Sequence, residues 1–160
     1  SPDVLIVNEK IKKFAMAMKT QKWDSESFRK FNMYDMEIVC EDYCTWPFAW
    51  YLRDFNKIAY QPKNIPEYEK GKPIILSGIE EANRGHDQRV YDLLKDDYYF
   101  ERYKLREWWA PDEGKFWSAP FGEKVNMLWK RFIYRDVWND LGSYDFVVYI
   151  RKDLKEFWQQ

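Results

Sequence analysis

Histidine and cysteine are scarce: His86, Cys40 and Cys44 are the only ones in 160 residues. The four nitrogen and sulfur ligands of an ordinary structural zinc site therefore cannot be assembled. The Cys-x3-Cys spacing permits a disulfide in an oxidising compartment, but two reduced, half-buried thiols are the expected state. Long apolar runs are missing as well. Runs such as Pro73 to Leu76 and Phe146 to Ile150 fall far short of the roughly twenty residues that span a bilayer. Nor does one sign of charge dominate. Lys plus Arg number 26 against 27 Asp plus Glu, which leaves no electrostatic footprint for a polyanion, so nucleic acid is not an expected partner. Glycine-rich phosphate loops are absent too. Gly78 does follow an apolar run, but Glu80 and Glu81 come next and would repel an anion at the start of a helix. Neither a nucleotide nor another cofactor is expected.

What the chain has is rings. Nine Trp, twelve Tyr and eleven Phe exceed what one core of this size would use. Some of them should reach the surface. The length suits a single domain over residues 1–160, able to bury roughly two thirds of its unfolded surface. No internal repeat or low-complexity stretch divides it.

Val4, Val7, Ile11, Phe14, Ala15 and Met18 recur at helical spacing, so the opening segment from Pro2 to Met18 is predicted to be an amphipathic helix. Thr20 to Tyr34 reads as a loop. Short apolar strands are predicted at Met36 to Cys40, Lys57 to Tyr60, Pro73 to Leu76 and Asp145 to Arg151, and an alternating one at Tyr98 to Arg106. Between them, Thr45 is read as the cap of a helix running to Asp54, with Pro47 in its first turn. A second helix is read over Glu80 to Leu94, broken or begun near Gly85. A loop from Trp108 to Phe121 precedes a helix from Glu123 to Trp138, stopped by Gly142. Strands alternating with helices indicate the α/β class: one three-layer domain with a mostly parallel or mixed sheet of about five strands and helices on both faces.

Ligands of such folds gather at the carboxyl ends of strands, which draws attention to Glu41 and Asp42, just after the first strand. On the helix that follows, Trp46, Ala49, Trp50 and Arg53 share one face, while Phe48, Tyr51, Leu52 and Phe55 share another. One face can pack on the sheet, and the other needs a second partner. Flat indoles beside carboxylates and a guanidinium suit a sugar, since rings meet pyranose C–H groups and charges bind hydroxyls. The candidate glycan-binding residues are Glu41, Asp42, Trp46, Trp50, Arg53 and Asp54, with Trp108 and Trp109 as a wall. A bland alternative stands beside this: Arg53 as no more than the partner of a neighbouring carboxylate, Glu41, Asp42 or Asp54. Adjacent residues on a strand end point apart, which weakens Glu41 and Asp42 as a catalytic pair. His86 lacks an evident partner.

Four stretches together resemble a known family: SPDVL at Ser1 to Leu5, DYCTWPFAWYLRDF at Asp42 to Phe55, YKLREWWAP at Tyr103 to Pro111 and VYIRKDL at Val148 to Leu154. They resemble the soluble C-terminal region of the flippase-activity-associated membrane proteins, relatives of glycosyltransferase family 39 and of the protein O-mannosyltransferases. The specific part is Trp46 to Asp54; Phe48 and Ala49 depart from the Leu-Pro usual there. The resemblance implies an accessory domain on the extracytoplasmic side, excised from a multi-spanning parent that uses a lipid-linked sugar donor. It implies a glycan or polyprenyl-phosphate-sugar headgroup and the parent's transmembrane region as partners, with the catalytic acids elsewhere in the parent. The alternatives are a non-catalytic interaction domain that docks on the parent or another partner, and an independent hydrolase using Glu41, Asp42 or His86.

Overall fold

The structure, a computed structural model, describes residues 1–21, 32–61, 65–79 and 84–159, with the backbone alone for residues 20, 21 and 84–87. The loop expected at Thr20 to Tyr34 therefore lies mostly outside the described residues, as do Pro62, Glu80 and Glu81. The chain forms two compact units, residues 1–105 with 144–160, and residues 106–143.

The first unit opens with α1 (Pro2–Gln21). Its buried apolar residues are Val4, Val7, Ile11, Phe14, Ala15 and Met18, the stripe that the spacing predicts. The strands are β1 (Glu37–Glu41), β2 (Lys57–Gln61), β3 (Ile74–Ile79), β4 (Tyr98–Trp108) and β5 (Gly142–Arg151). They form one sheet of order β2-β1-β3-β5-β4. β1 runs parallel to both β2 and β3, with Cys40 level with Tyr60 and Leu76, whereas β5 is antiparallel to β3. The sheet is therefore mixed and the fold is α/β.

Period-two alternation divides the sheet's side chains between two helical layers. Ile38, Cys40, Ile74, Leu76, Phe146, Val148 and Ile150 pack with α1, with α2 (Asp42–Tyr51) and with α6 (Lys155–Trp158). Val39, Ile75, Val147 and Tyr149 face the other way and pack with Val90 and Leu94 of α3 (Arg84–Leu94). Ring edges organise the larger core. Phe48 meets Phe146 at 5.1 Å and Phe14 meets Trp158 at 5.9 Å, both edge-on. Each fully buried Phe contributes on the order of 1.5–3 kcal/mol.

The second unit contains α4 (Glu113–Ser118) and α5 (Phe121–Tyr134). Sequence reading placed a plain loop from Trp108 to Phe121, but Asp112 caps α4, its Oδ1 accepting from Lys115 N at 2.9 Å. α5 also ends earlier than Trp138. Arg135 adopts the left-handed conformation there (φ 58°), and Trp138 leaves the helical path to stack on Phe116 at 5.5 Å. Gly142 begins β5 rather than ending a helix. Asn139 is the hub of this unit: its Oδ1 accepts from Trp109 Nε1 at 2.8 Å and from Asp112 N at 3.2 Å, while its Nδ2 donates to Ala110 O at 2.9 Å.

One carboxylate ties three elements of the first unit together. Glu101 on β4 accepts from Lys10 of α1 at 2.9 Å, from Trp158 of α6 at 2.9 Å, from Tyr99 at 3.1 Å and from the hydroxyl of Tyr103. Burial alone would raise its pKa. Hydrogen bonds from Tyr103, Trp158 and Lys10 outweigh that and hold the carboxyl at about 2. A folded pKa below the unfolded one gives stability that is present above the unfolded value and lost as pH falls through the folded value. Glu101→Gln should therefore cost about 1–2 kcal/mol near neutral pH, the figure being reduced for partial exposure. Urea melts should show the native protein weakening between about pH 4.5 and pH 2, and the variant lacking much of that acid-limb loss.

Candidate functional site

The carboxyl edge of the parallel pair β1–β3 is closed by Glu41. Its side chain is fully buried, and Oε2 accepts from Ser77 Oγ at 2.7 Å and from Gly78 N at 3.1 Å. Alternation sends Glu41, like Val39, toward the α3 face. Gly78 has to be glycine here, because a Cβ on it would collide with the Cβ of Tyr43. Glu41 therefore works as a strap between strands, and Asp42 beside it is exposed. The structure sets these two carboxylates in different surroundings.

α2 starts at once after Glu41 and is kinked. Trp46 has strand-like angles (φ −103°, ψ 119°) and the Trp46–Pro47 peptide is cis. Proline disfavours helical backbone in the residue before it. Thr45 consequently does not cap the helix: its hydroxyl donates to the carbonyl of Glu41 at 3.4 Å. The helix ends at Tyr51, short of Asp54. Phe48 and Leu52 are buried against the sheet, as the apolar spacing requires, while Trp46 and Trp50 stand 65% and 60% exposed. The Arg53 guanidinium lies 4.5 Å from the centre of the Trp50 ring. Arg53 and Asp54 are both exposed. Trp46, Trp50 and Arg53 are thus all exposed, with Arg53 stacked on Trp50, while Glu41 is buried.

Trp108 and Trp109 belong to the second unit. Trp108 lies against Gly142, where any Cβ would meet the indole. Trp109 meets Trp138 edge-on at 4.7 Å and carries the Arg131 guanidinium 4.4 Å over its ring. Cys40 and Cys44 are buried free thiols. Burial, and secondarily the charge of Glu41 at Cys40 and the neighbouring Cys40 at Cys44, pushes both thiols up from their ordinary range. His86 falls within α3, and its side chain lies outside the described residues. Among the described residues no three or more His, Cys, Asp or Glu converge as metal ligands.

A cleft of about 260 Å³ opens on the α3 side, lined among others by Ser77, Gln88, Tyr91, Phe100, Arg102 and Tyr149. Tyr91 meets Phe100 edge-on at 5.5 Å, and Arg102 Nε donates to Asp145 at 2.8 Å. Ser77 serves both places, as it lines the cleft and donates to Glu41. Sequence reasoning missed this cleft. The alternation of β4, which sets Phe100 and Arg102 on one face, was the available signal.

Comparison with protein-family models, with curated proteins and with solved structures finds no match. The site is therefore described by its own geometry.

Glu41→Ala should leave two buried donors unsatisfied and cost about 2–4 kcal/mol in denaturant unfolding, whereas Trp50→Ala should stay within about 1 kcal/mol. Ellman's reagent at about pH 8 should leave both cysteines untouched in the native protein and titrate both after unfolding.

Proposed function

We propose that this chain is an extracytoplasmic accessory domain of a membrane glycosyltransferase, binding a glycan acceptor or a lipid-linked sugar headgroup across Trp46, Trp50 and Arg53. The exposed indoles with a guanidinium stacked on one of them support this reading most directly. Leaving two indoles in water is costly unless something covers them, and a pyranose ring offers a flat C–H face of the right kind. Asp42 and Asp54, both exposed nearby in sequence, supply acceptors for sugar hydroxyls. Glu41 takes no direct part, because its carboxylate is committed to Ser77 and Gly78. Transfer chemistry is assigned to the rest of the parent protein, since no complete set of catalytic residues comes together among the described residues.

A second reading, a docking face for the parent's membrane region or another partner, is favoured by the outward projection of the same rings. Trp fluorescence and NMR titrations with a panel of glycans and polyprenyl-phosphate sugars separate the two. Glycan binding predicts a saturable response that Trp50→Ala weakens by at least about tenfold. A flat response across the panel would remove the reading. A response abolished by Tyr91→Ala and unchanged in Trp50→Ala would move the site to the α3 cleft.

A further inference from the structure

The cleft beside α3 opens at the carboxyl end of β3. β1 and β3 are adjacent and parallel, yet the helix after β1 packs on one face of the sheet, through Cys44 and Phe48, and the helix after β3 packs on the other, through Val90 and Leu94. Such a divergence is the switch point outside which open α/β sheets receive their ligands. Ser77, Gly78 and Ile79 end β3 there and line the cleft.

Size narrows the choice of ligand. The volume of about 260 Å³ lies below the roughly 300–1,000 Å³ of pockets that hold drug-sized molecules, so the cleft takes a single ring rather than a whole nucleotide. Tyr91 and Phe100 give it an apolar corner. Their rings stand 5.5 Å apart at 88° and are 37% and 45% exposed, while the buried Tyr149 lies 6.1 Å from Phe100. Partly exposed aromatic rings of this kind accept the flat C–H face of a saturated ring.

The polar groups decide between an anion and a neutral ligand. Ser77 Oγ is buried and gives its proton to Glu41 Oε2 at 2.7 Å, so toward the cleft it offers lone pairs only. It receives a hydroxyl and repels a carboxylate or phosphate, and the Glu41 carboxylate behind it acts in the same sense. Arg102, which also lines the cleft, is held by Asp145, with Nε and Nη2 lying 2.8 and 2.7 Å from one carboxylate oxygen. The pair is neutral as a whole and sets donor beside acceptor. Hydroxyl groups match it, since each both gives a proton and accepts one. A flat aromatic ligand would meet the rings and leave Ser77 and the ion pair unserved. We propose that the cleft binds one uncharged sugar ring, its C–H face on Tyr91 and Phe100 and its hydroxyls on Ser77 and the Arg102–Asp145 pair. These residues are separate from Trp46, Trp50 and Arg53, and neither site depends on the other.

Methyl glycosides of glucose, galactose and mannose, titrated into the isotope-labelled full chain and followed by NMR, test it. A single ring buries little surface, so saturation is expected in the millimolar range, with shifts at the amides of Gln88, Tyr91 and Arg102. Tyr91→Ala should weaken binding at least about fivefold and Tyr91→Phe should leave it unchanged, because the ring and not its hydroxyl is used. Arg102→Ala, at a side chain 62% exposed in the native protein, should weaken it to a similar degree with the unfolding curve unchanged. Cyclohexanol, a ring with one hydroxyl, should bind at least about fivefold more weakly than the best glycoside, and benzoate no better than cyclohexanol. Trp50→Ala should not alter the shifts at the cleft. No saturable shift at those amides with any of the three glycosides, binding unchanged in Tyr91→Ala, or benzoate ahead of the glycosides would each overturn the proposal. Shifts confined to Trp50 and Arg53 and lost in Trp50→Ala would overturn it too, while supporting the glycan reading at Trp46 and Trp50.

Discussion

The buried carboxylate of Glu41 is the constraint around which the first unit is arranged. A charged group out of water is tolerated only with its hydrogen-bond partners in place, and Ser77 and Gly78 supply two of them from the neighbouring parallel strand. That strap brings the end of β1 against the end of β3 so closely that Tyr43 occupies the space a side chain at residue 78 would need. The chain must therefore turn straight into α2. Once the turn is fixed, Phe48 and Leu52 fall against the sheet and Trp46 and Trp50 are carried outward. The exposure of these two indoles is thus a consequence of a hydrogen bond on a different layer.

Much of this architecture was legible in the residues. The stripe of α1, the apolar cores of β1, β3 and β5 and the alternation of β4 follow from spacing alone, because burial on one or both faces leaves a periodic mark. The mixed sheet and its two helical layers were also anticipated. The site was less legible. Glu41 was correctly placed at a strand edge, yet nothing local distinguishes a carboxylate that meets a ligand from one that straps two strands. Its partners lie 36 and 37 residues away. The cleft was hidden for the same reason: Tyr91, Phe100 and Tyr149 come together only through the strand order. Local signals were also misjudged. Asp112 carries an N-cap signal that the surrounding Pro and Gly obscured, and the helical spacing through Val137 and Trp138 continued past the point where a left-handed Arg135 ends the helix.

The excess of rings resolves into two uses. In the first unit they fill space, meeting edge to face inside a core that a sheet and four helices enclose. In the second they act as the framework itself. Trp138 contacts both Trp109 and Phe116 without any of the three being buried, and the two indole N–H groups are anchored by Asn139 and by the carbonyl of Asp112. Apolar burial holds the first unit, and ring contacts with directed hydrogen bonds hold the second.

That difference bears on conformational entropy. An ordered Trp or Phe gives up only two side-chain torsions for a large contact area, where a Lys, Met or Gln loses more freedom for less. Residues 106–143 are short and unburied, so they can offset the loss of backbone freedom only with side chains that are cheap to immobilise. The aromatic weighting of this stretch is the composition that such an entropic constraint selects.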